Sequence, residues 1–344
     1  MRSRQSAMGS APGGYGASVV TFVVGPDSAD PTVNVLSVLQ DGLGLPDRDY
    51  YLEWSVNEKV ALEVAAGASW AGARSVCTMK HVGLNVAADP FMTLSHTGVI
   101  GGLIVLCADD PACHSSQNEQ DSRNYAKFAK VPCLDPQSPQ EAKDMVAYAY
   151  DFSEKYQIPV LLRPTTRISH AKSDIDIGEI AGREKGVQFK KDPERFVVLP
   201  KQTRVLLKKL NAKQDAIQKE LAESPWNRLE IKRNAKLGII SSGVASTYVE
   251  EALETLGTPV SCLKIGAYPI DPDLIKKLAG SVERVLVIEE LSPFVEEQAR
   301  MYADNVLGKM TGDVPHEGEF DTLLVANIIR RVAGKPLLQN RDVN

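Results

Sequence analysis

Short apolar runs alternate with helical periods along most of this chain. Val19–Val24, Ser75–Met79, Gly102–Cys107 and Pro159–Arg163 read as buried strands. Between them the pattern turns helical. Thr32–Gln40 follows Pro31, and Asn57–Ala71 places Val60, Ala61, Val64, Ala65 and Ala68 on one helical face. A third helix runs to about Tyr156, with Ser138 placed as N-cap and Pro139 at the first helical position. Strands alternating with helices imply a mostly parallel sheet covered on both faces.

The pattern changes after residue 168. Residues 169–235 are rich in Lys, Arg, Asp and Glu, and one amphipathic helix stands out through Leu206, Leu210, Ile217 and Leu221. Its lysines fall on the opposite side, as a solvated face or a docking patch for a redox partner. A second α/β pattern fills 236–340. Its strands are Leu237–Ile240, Val260–Ile265 and Arg284–Ile288; helices run to Leu256, start at Pro272, and start at Ser292-Pro293 as N-cap and first position. The expected organisation is therefore a leader at 1–17, an α/β domain at 18–168, a charged linker at 169–235 and a three-layer α/β domain at 236–340.

Composition narrows the function classes. The chain has 344 residues, 43% of them apolar and 24% charged, which suits two ordinary globular domains. A net charge of −5 argues against a nucleic-acid binder. No apolar run has the length of a membrane span, and Val19–Val24 is too short for a signal-peptide core, so the chain reads as cytoplasmic. The five cysteines, at 77, 107, 113, 133 and 262, form no Cys-x-x-Cys, so no iron–sulfur cluster and no metal site are expected in this chain.

Three polar segments could carry chemistry. Glu58 opens the Asn57–Ala71 helix; with Ser55 it has capping-box spacing, and nothing local requires more of it. The run from His114 to Arg123 holds no large apolar side chain and follows a buried strand, which places it at a carboxyl end, where α/β sheets bind ligands. Its bland reading is a polar surface loop. Thr78–Asn85 looks similar: a strand running into a loop with Lys80, His81 and Gly83, whose cations either meet an anionic substrate or cap the strand. Gly-x-Gly-x-x-Gly, Walker and Gly-x-Ser-x-Gly signatures are absent, which removes support for nucleotide dehydrogenases, NTPases and serine hydrolases. His96, His170 and His316 are isolated, and the Glu289-Glu290 pair reads as a helix-start ion pair rather than an acid/base dyad.

These segments carry a family resemblance. Tyr51–Ala68, Thr78–Pro90, Ala108–Pro111, His114–Arg123, Leu162–Arg167, Leu237–Gly243 and Val287–Pro293 resemble indolepyruvate (2-oxoacid):ferredoxin oxidoreductase alpha subunits, over roughly Tyr50 to Gly334. The resemblance implies a thiamine diphosphate pyrimidine-binding domain followed by a transketolase carboxyl-terminal-like domain. It implies that Glu58 hydrogen-bonds the aminopyrimidine ring and assists deprotonation of the thiazolium. It implies that His81, Val82 and Gly83 lie at the cofactor, and that Lys80, His81, His114, Ser115 and Gln117 face the substrate. The implied reaction is oxidative decarboxylation of a 2-oxoacid to an acyl-CoA, with electrons passed to iron–sulfur clusters.

Two departures accompany it. The family's Tyr-Pro-Gly-Thr-Pro-type loop corresponds here to Gly25–Thr32, with Asp30 in place of the threonine. No Gly-Asp-Gly…Asn diphosphate motif and no cysteine-rich region occur. Either the sequence is a truncated form, or it is one subunit of a split enzyme, and the resemblance then implies partners: a subunit carrying the diphosphate and Mg²⁺ domain, one carrying [4Fe-4S] clusters, a gamma-type subunit, and ferredoxin or a similar acceptor. The alternatives are a non-catalytic assembly subunit that keeps the fold, and a non-oxidative thiamine-dependent decarboxylase component.

Overall fold

The computed structural model describes residues 21–24, 51–176 and 188–339. The leader, the Thr32–Gln40 helix and the Gly25–Thr32 loop with Asp30 lie outside them. Two compact units are present: one comprises Met1–Asp110, Ser122–Leu134 and Pro139–Ile217, the other Pro111–Asp121, Asp135–Ser138 and Gln218–Asn344.

The first unit is built on six parallel strands: β1 (Thr21–Val24), β2 (Tyr51–Trp54), β3 (Ser75–Lys80), β4 (Leu103–Ala108), β5 (Cys133–Leu134) and β6 (Val160–Leu162). Their order is β5-β6-β4-β3-β1-β2. Val105 pairs with Leu161 and Cys77 with Val105 in register. β3 is buried throughout and β4 nearly so, the pattern of strands covered on both faces.

Its helices are α1 (Glu58–Trp70), α2 (His81–Val86), α3 (Ala88–Thr97), α4 (Arg123–Ala129), α5 (Pro139–Tyr156), α6 (Thr166–His170), α7 (Pro193–Phe196) and α8 (Pro200–Ala212). α1 buries Ala61, Leu62, Ala65, Ala66 and Ser69, so its inner face is turned about one position from the expected one, and Val60, Val64 and Ala68 sit at its margin. The small residues let α1 lie close to β3 and α3, and Ser69 donates to the Gly101 carbonyl at 2.5 Å. The single amphipathic helix expected through Leu221 is two helices, α8 and α9 (Gln214–Ala222), separated at Lys213; the apolar stripe stays in phase, and Leu206, Leu210 and Ile217 are buried.

Two cations from this charged stretch cap helix ends. Arg195 donates to the carbonyls of Thr97 and Val99 at 2.8 and 2.7 Å, and Lys213 to those of Tyr156 and Gln157 at 2.9 and 3.2 Å. Each satisfies carbonyls left open at a helix C-terminus.

The second unit has β7 (Arg228–Glu230), β8 (Leu237–Ser242), β9 (Val260–Ile265), β10 (Arg284–Ile288) and β11 (Val306–Leu307), in the order β11-β10-β8-β9-β7. All pairs are parallel except β7 with β9. Its helices are α10 (Ala245–Glu254), α11 (Pro272–Ala279), α12 (Phe294–Arg300) and α13 (Thr322–Val332). Among the described residues no helix is long and apolar enough to cross a membrane.

Candidate functional site

Because the strands of the first unit are parallel, every loop leaving a strand end lies along one edge of the sheet. α1 starts there after β2, α2 after β3, Asp109-Asp110 after β4 and Arg163 after β6. Ligands of open α/β sheets bind beyond this edge.

Asn57, in extended backbone, caps α1: its Oδ1 accepts from the Val60 amide at 2.9 Å. The expected Ser55–Glu58 capping box does not form. Ser55 is buried two residues before the cap, and Asn57, an equally good capping residue, stands directly before the helical run. Glu58 is thus the first helical residue, half-buried, with the capping duty discharged by its neighbour.

The segment after β3 is also not the loop that the sequence suggests. α2 begins at His81, immediately after Lys80, which occupies its N-cap position. Lys80 and His81 are buried, Gly83 is buried and Val82 is half-buried. Gly83 faces the Glu58 side chain so closely that a Cβ there would lie 2.7 Å from Glu58 Cγ and 2.9 Å from Oε1. Glycine is therefore a steric requirement for the carboxylate to occupy this seat. Below it the Cys77 thiol is pushed up, first by burial and then by the Glu58 charge.

A second cluster on the same edge had no role assigned from sequence. Asp109 is fully buried; its Oδ2 accepts from Arg163 Nε at 2.7 Å and from the Ser122 amide at 3.0 Å. Asp109 bridges Thr165 backbone to backbone, and Asp110 accepts from the Thr166 hydroxyl at 2.8 Å. Burial, then the Asp109 charge, pushes the Cys107 thiol up. This cluster ties the ends of β4 and β6 together and fixes the start of α4. Arg123, the largest fully buried side chain of the chain's described residues, is the first residue of that helix.

His114, Ser115 and Gln117 belong to the second unit, each exposed. The turn before them, Pro111–Cys113, carries Ala112 and Cys113 at φ of 67° and 53°, a strained conformation for residues with a Cβ. Glu119 Oε1 accepts from the Ala112 amide and, at 3.0 Å, from the Gly318 amide. His114 Nε2 lies 3.4 Å from Glu319 Oε2.

The Glu289-Glu290 pair serves backbone groups of this unit. Glu289 accepts from the amides of Val295 and Glu296 at 2.9 Å, and Glu290 from the Phe320 amide at 2.8 Å. α12 starts at Phe294, one residue later than expected, with Pro293 in the N-cap position. The Glu289 carboxylate caps it from the end of β10. Among the described residues no group of three His, Cys, Asp or Glu side chains could hold a metal ion.

No protein-family model matches the chain. Curated relatives do. The indolepyruvate oxidoreductase subunit IorA of Pyrococcus abyssi is 50% identical over 260 residues, covering 74% of this chain and 40% of that subunit. Those of Methanothermobacter thermautotrophicus and Archaeoglobus fulgidus are 42% and 40% identical, covering 89% and 94% of this chain and 50% and 52% of theirs. The chain spans about half the length of the relatives it matches, or less. Among solved structures, the 2-oxoglutarate:ferredoxin oxidoreductase of Magnetococcus marinus superposes with a TM-score of 0.69 at 16% identity, over 94% of this chain and 64% of that one. A split-gene transketolase superposes at 0.55 with 13% identity, over 91% and 90%. These likenesses show the fold, a pair of α/β domains common to both groups.

Proposed function

We propose that this chain, a member of the indolepyruvate oxidoreductase IorA family along the length its relatives match, supplies the aminopyrimidine-binding part of a thiamine diphosphate site in a 2-oxoacid:ferredoxin oxidoreductase. The observation that carries this reading is Glu58: a carboxylate at a helix start that is spared from capping and seated on a glycine with no room for a Cβ. Such a group can hold a proton opposite a ring nitrogen without costing the helix its cap.

The residues fit an aminopyrimidine. Glu58 would share a hydrogen bond with its ring nitrogen, and the close Gly83 backbone would leave the ring space beside the carboxylate. His81 and Val82 would support that seat. When bound, thiamine diphosphate supplies the electron sink for loss of carbon dioxide from a 2-oxoacid. Lys80, His81, His114, Ser115 and Gln117 are assigned to the substrate side.

The diphosphate end needs Mg²⁺ ligands, which we assign to a diphosphate-binding domain that completes the site. Further partners in this reading carry [4Fe-4S] clusters and a gamma-type domain, with CoA as acyl acceptor and ferredoxin as electron acceptor. The 2-oxoglutarate relative in fold was solved with its 2-oxoacid, coenzyme A and succinyl-CoA bound.

The test is anaerobic purification of the chain in its native complex, wild type and Glu58→Gln, with thiamine diphosphate content and 2-oxoacid turnover measured. The expected result is an assembled variant that loses at least about a hundredfold in turnover, the scale of a lost general acid–base group. Unchanged turnover would leave a non-catalytic assembly subunit as the better reading. Turnover of a 2-oxoacid without any iron in the complex would favour the non-oxidative decarboxylase.

A further inference from the structure

Between α7 and α8 the first unit presents apolar side chains that it does not cover. Val197, Val198 and Leu199 are 47%, 43% and 52% exposed, and Val205 on α8 is 52% exposed. Val197 and Leu199 have extended backbone. Neighbouring side chains of an extended run point to opposite sides, so a run lying on its own domain buries about half of them. Here all three stay out.

The run is pinned on both sides. Before it, Arg195 holds the Thr97 and Val99 carbonyls, and the Phe196 ring centre lies 4.8 Å from that of Trp70. After it, Leu206 and Leu210 of α8 are buried. These anchors also give its place in the unit. Trp70 ends α1, which begins at Glu58 and is 13 residues long, about 20 Å of helix. The run therefore sits at the far end of α1 from Glu58.

Charge gives this face a sign. Lys190, Lys191, Lys201, Arg204, Lys208 and Lys209 are exposed in the same segment, against Asp192 and Glu194, in a chain whose net charge is −5. Uncovered apolar side chains with a polar rim mark an interaction surface. A two-fold contact between copies would set the face against itself, lysines against lysines. A nucleic acid would meet the cations but offers little to three aliphatic side chains. An anionic membrane would repel Asp192 and Glu194.

We propose that Val197–Leu199 and the cations flanking it form a docking face for a partner polypeptide whose surface is acidic around an apolar centre. The inference goes beyond the thiamine diphosphate reading and does not depend on it. The partner's apolar side chains cover the run, and its carboxylates meet the cations, which speeds encounter and fixes orientation.

The test uses the chain in its native complex. One preparation carries the photo-cross-linker p-benzoylphenylalanine at position 198, and another the pair Lys208→Glu and Lys209→Glu. Irradiation should join position 198 to another polypeptide, at a stretch richer in Asp and Glu than in Lys and Arg. The charge-reversed pair should weaken association of that polypeptide at least about tenfold at low salt, and the difference should shrink as salt rises. Lys277→Glu, exposed on α11 of the second unit, should leave the association unchanged. A cross-link to a second copy of this chain, retention on anionic phospholipid vesicles with no cross-linked polypeptide, or no cross-link at all would overturn the proposal. So would a partner that binds the charge-reversed pair and the wild type alike. None of these readouts uses turnover, so failure of the thiamine diphosphate reading would leave them intact.

Discussion

Two strand-to-helix junctions in this protein put glutamates to opposite uses. After β10, Glu289 turns its carboxylate onto the first amides of α12, and Glu290 takes the Phe320 amide. After β2, Asn57 takes the free amide of α1, and Glu58 is left with its carboxylate over Gly83. The residue type and the place in the fold are the same. What separates them is which side chain satisfies the helix start. A carboxylate bound to backbone amides is committed to them; one relieved of that duty is available to another partner.

The contrast can be broken most forcefully at Glu58, where glutamine keeps the shape and removes the proton-holding group. Next in size is Gly83→Ala. Its Cβ would lie 2.7 Å from Glu58 Cγ, so the Glu58 side chain must leave its seat. On the proposed role of Glu58, turnover should fall by about 10- to 100-fold, because displacing a reacting group by an ångström has effects of that size. Helicity should be unharmed, since alanine is the better helix former. Equal kcat in Gly83→Ala and wild type, with the fold intact, would mean that the seat does not define the carboxylate's position.

At the other junction the effect should appear in stability. Glu289→Ala strips two amides of a buried charged acceptor, which costs about 2–3 kcal/mol. Chemical denaturation should show this loss at unchanged m-value. A loss below about 0.5 kcal/mol would show that water replaces the carboxylate at α12, and the two junctions would then differ less than their hydrogen bonds suggest.

The layout of the sheets was legible in the sequence where burial is two-sided. Val260–Ile265 and Arg284–Ile288 are strands at the expected residues, because short, mostly apolar runs rich in β-branched side chains leave few alternatives between turns. Local competition was harder to read. Ser55 and Asn57 are both good caps, and only the backbone conformation decides between them. His81–Val86 looked like a loop because its glycine lowers helix propensity, yet the tight packing against Glu58 requires that glycine. The face of α1 was misjudged by one position, because alanines and a serine, rather than valines, fit the close approach to the sheet.

The buried cluster of Asp109 and Arg163 was not legible at all. The two residues are 54 positions apart, and their pairing follows from β6 lying beside β4, an order that periodicity does not contain. The same is true of His114 and Glu319.

The smallest effect sharpens the comparison most directly. Asn57→Ala removes the cap of α1 and should cost about 1 kcal/mol. Glu58 then becomes the nearest acceptor for the amide that Asn57 released. If the carboxylate swings back to cap the helix, it leaves the Gly83 seat, and turnover should fall by more than so small a loss of stability would cause. Asn57→Asp and Asn57→Ser, which both cap well, should keep stability and turnover together near wild type. The measurement is turnover in the complex set against denaturation midpoints across the three variants. If turnover in Asn57→Ala stays at the wild-type level while the midpoint drops, Glu58 is held in place by Gly83 and its surroundings alone, and the freedom of its carboxylate does not depend on which residue caps the helix.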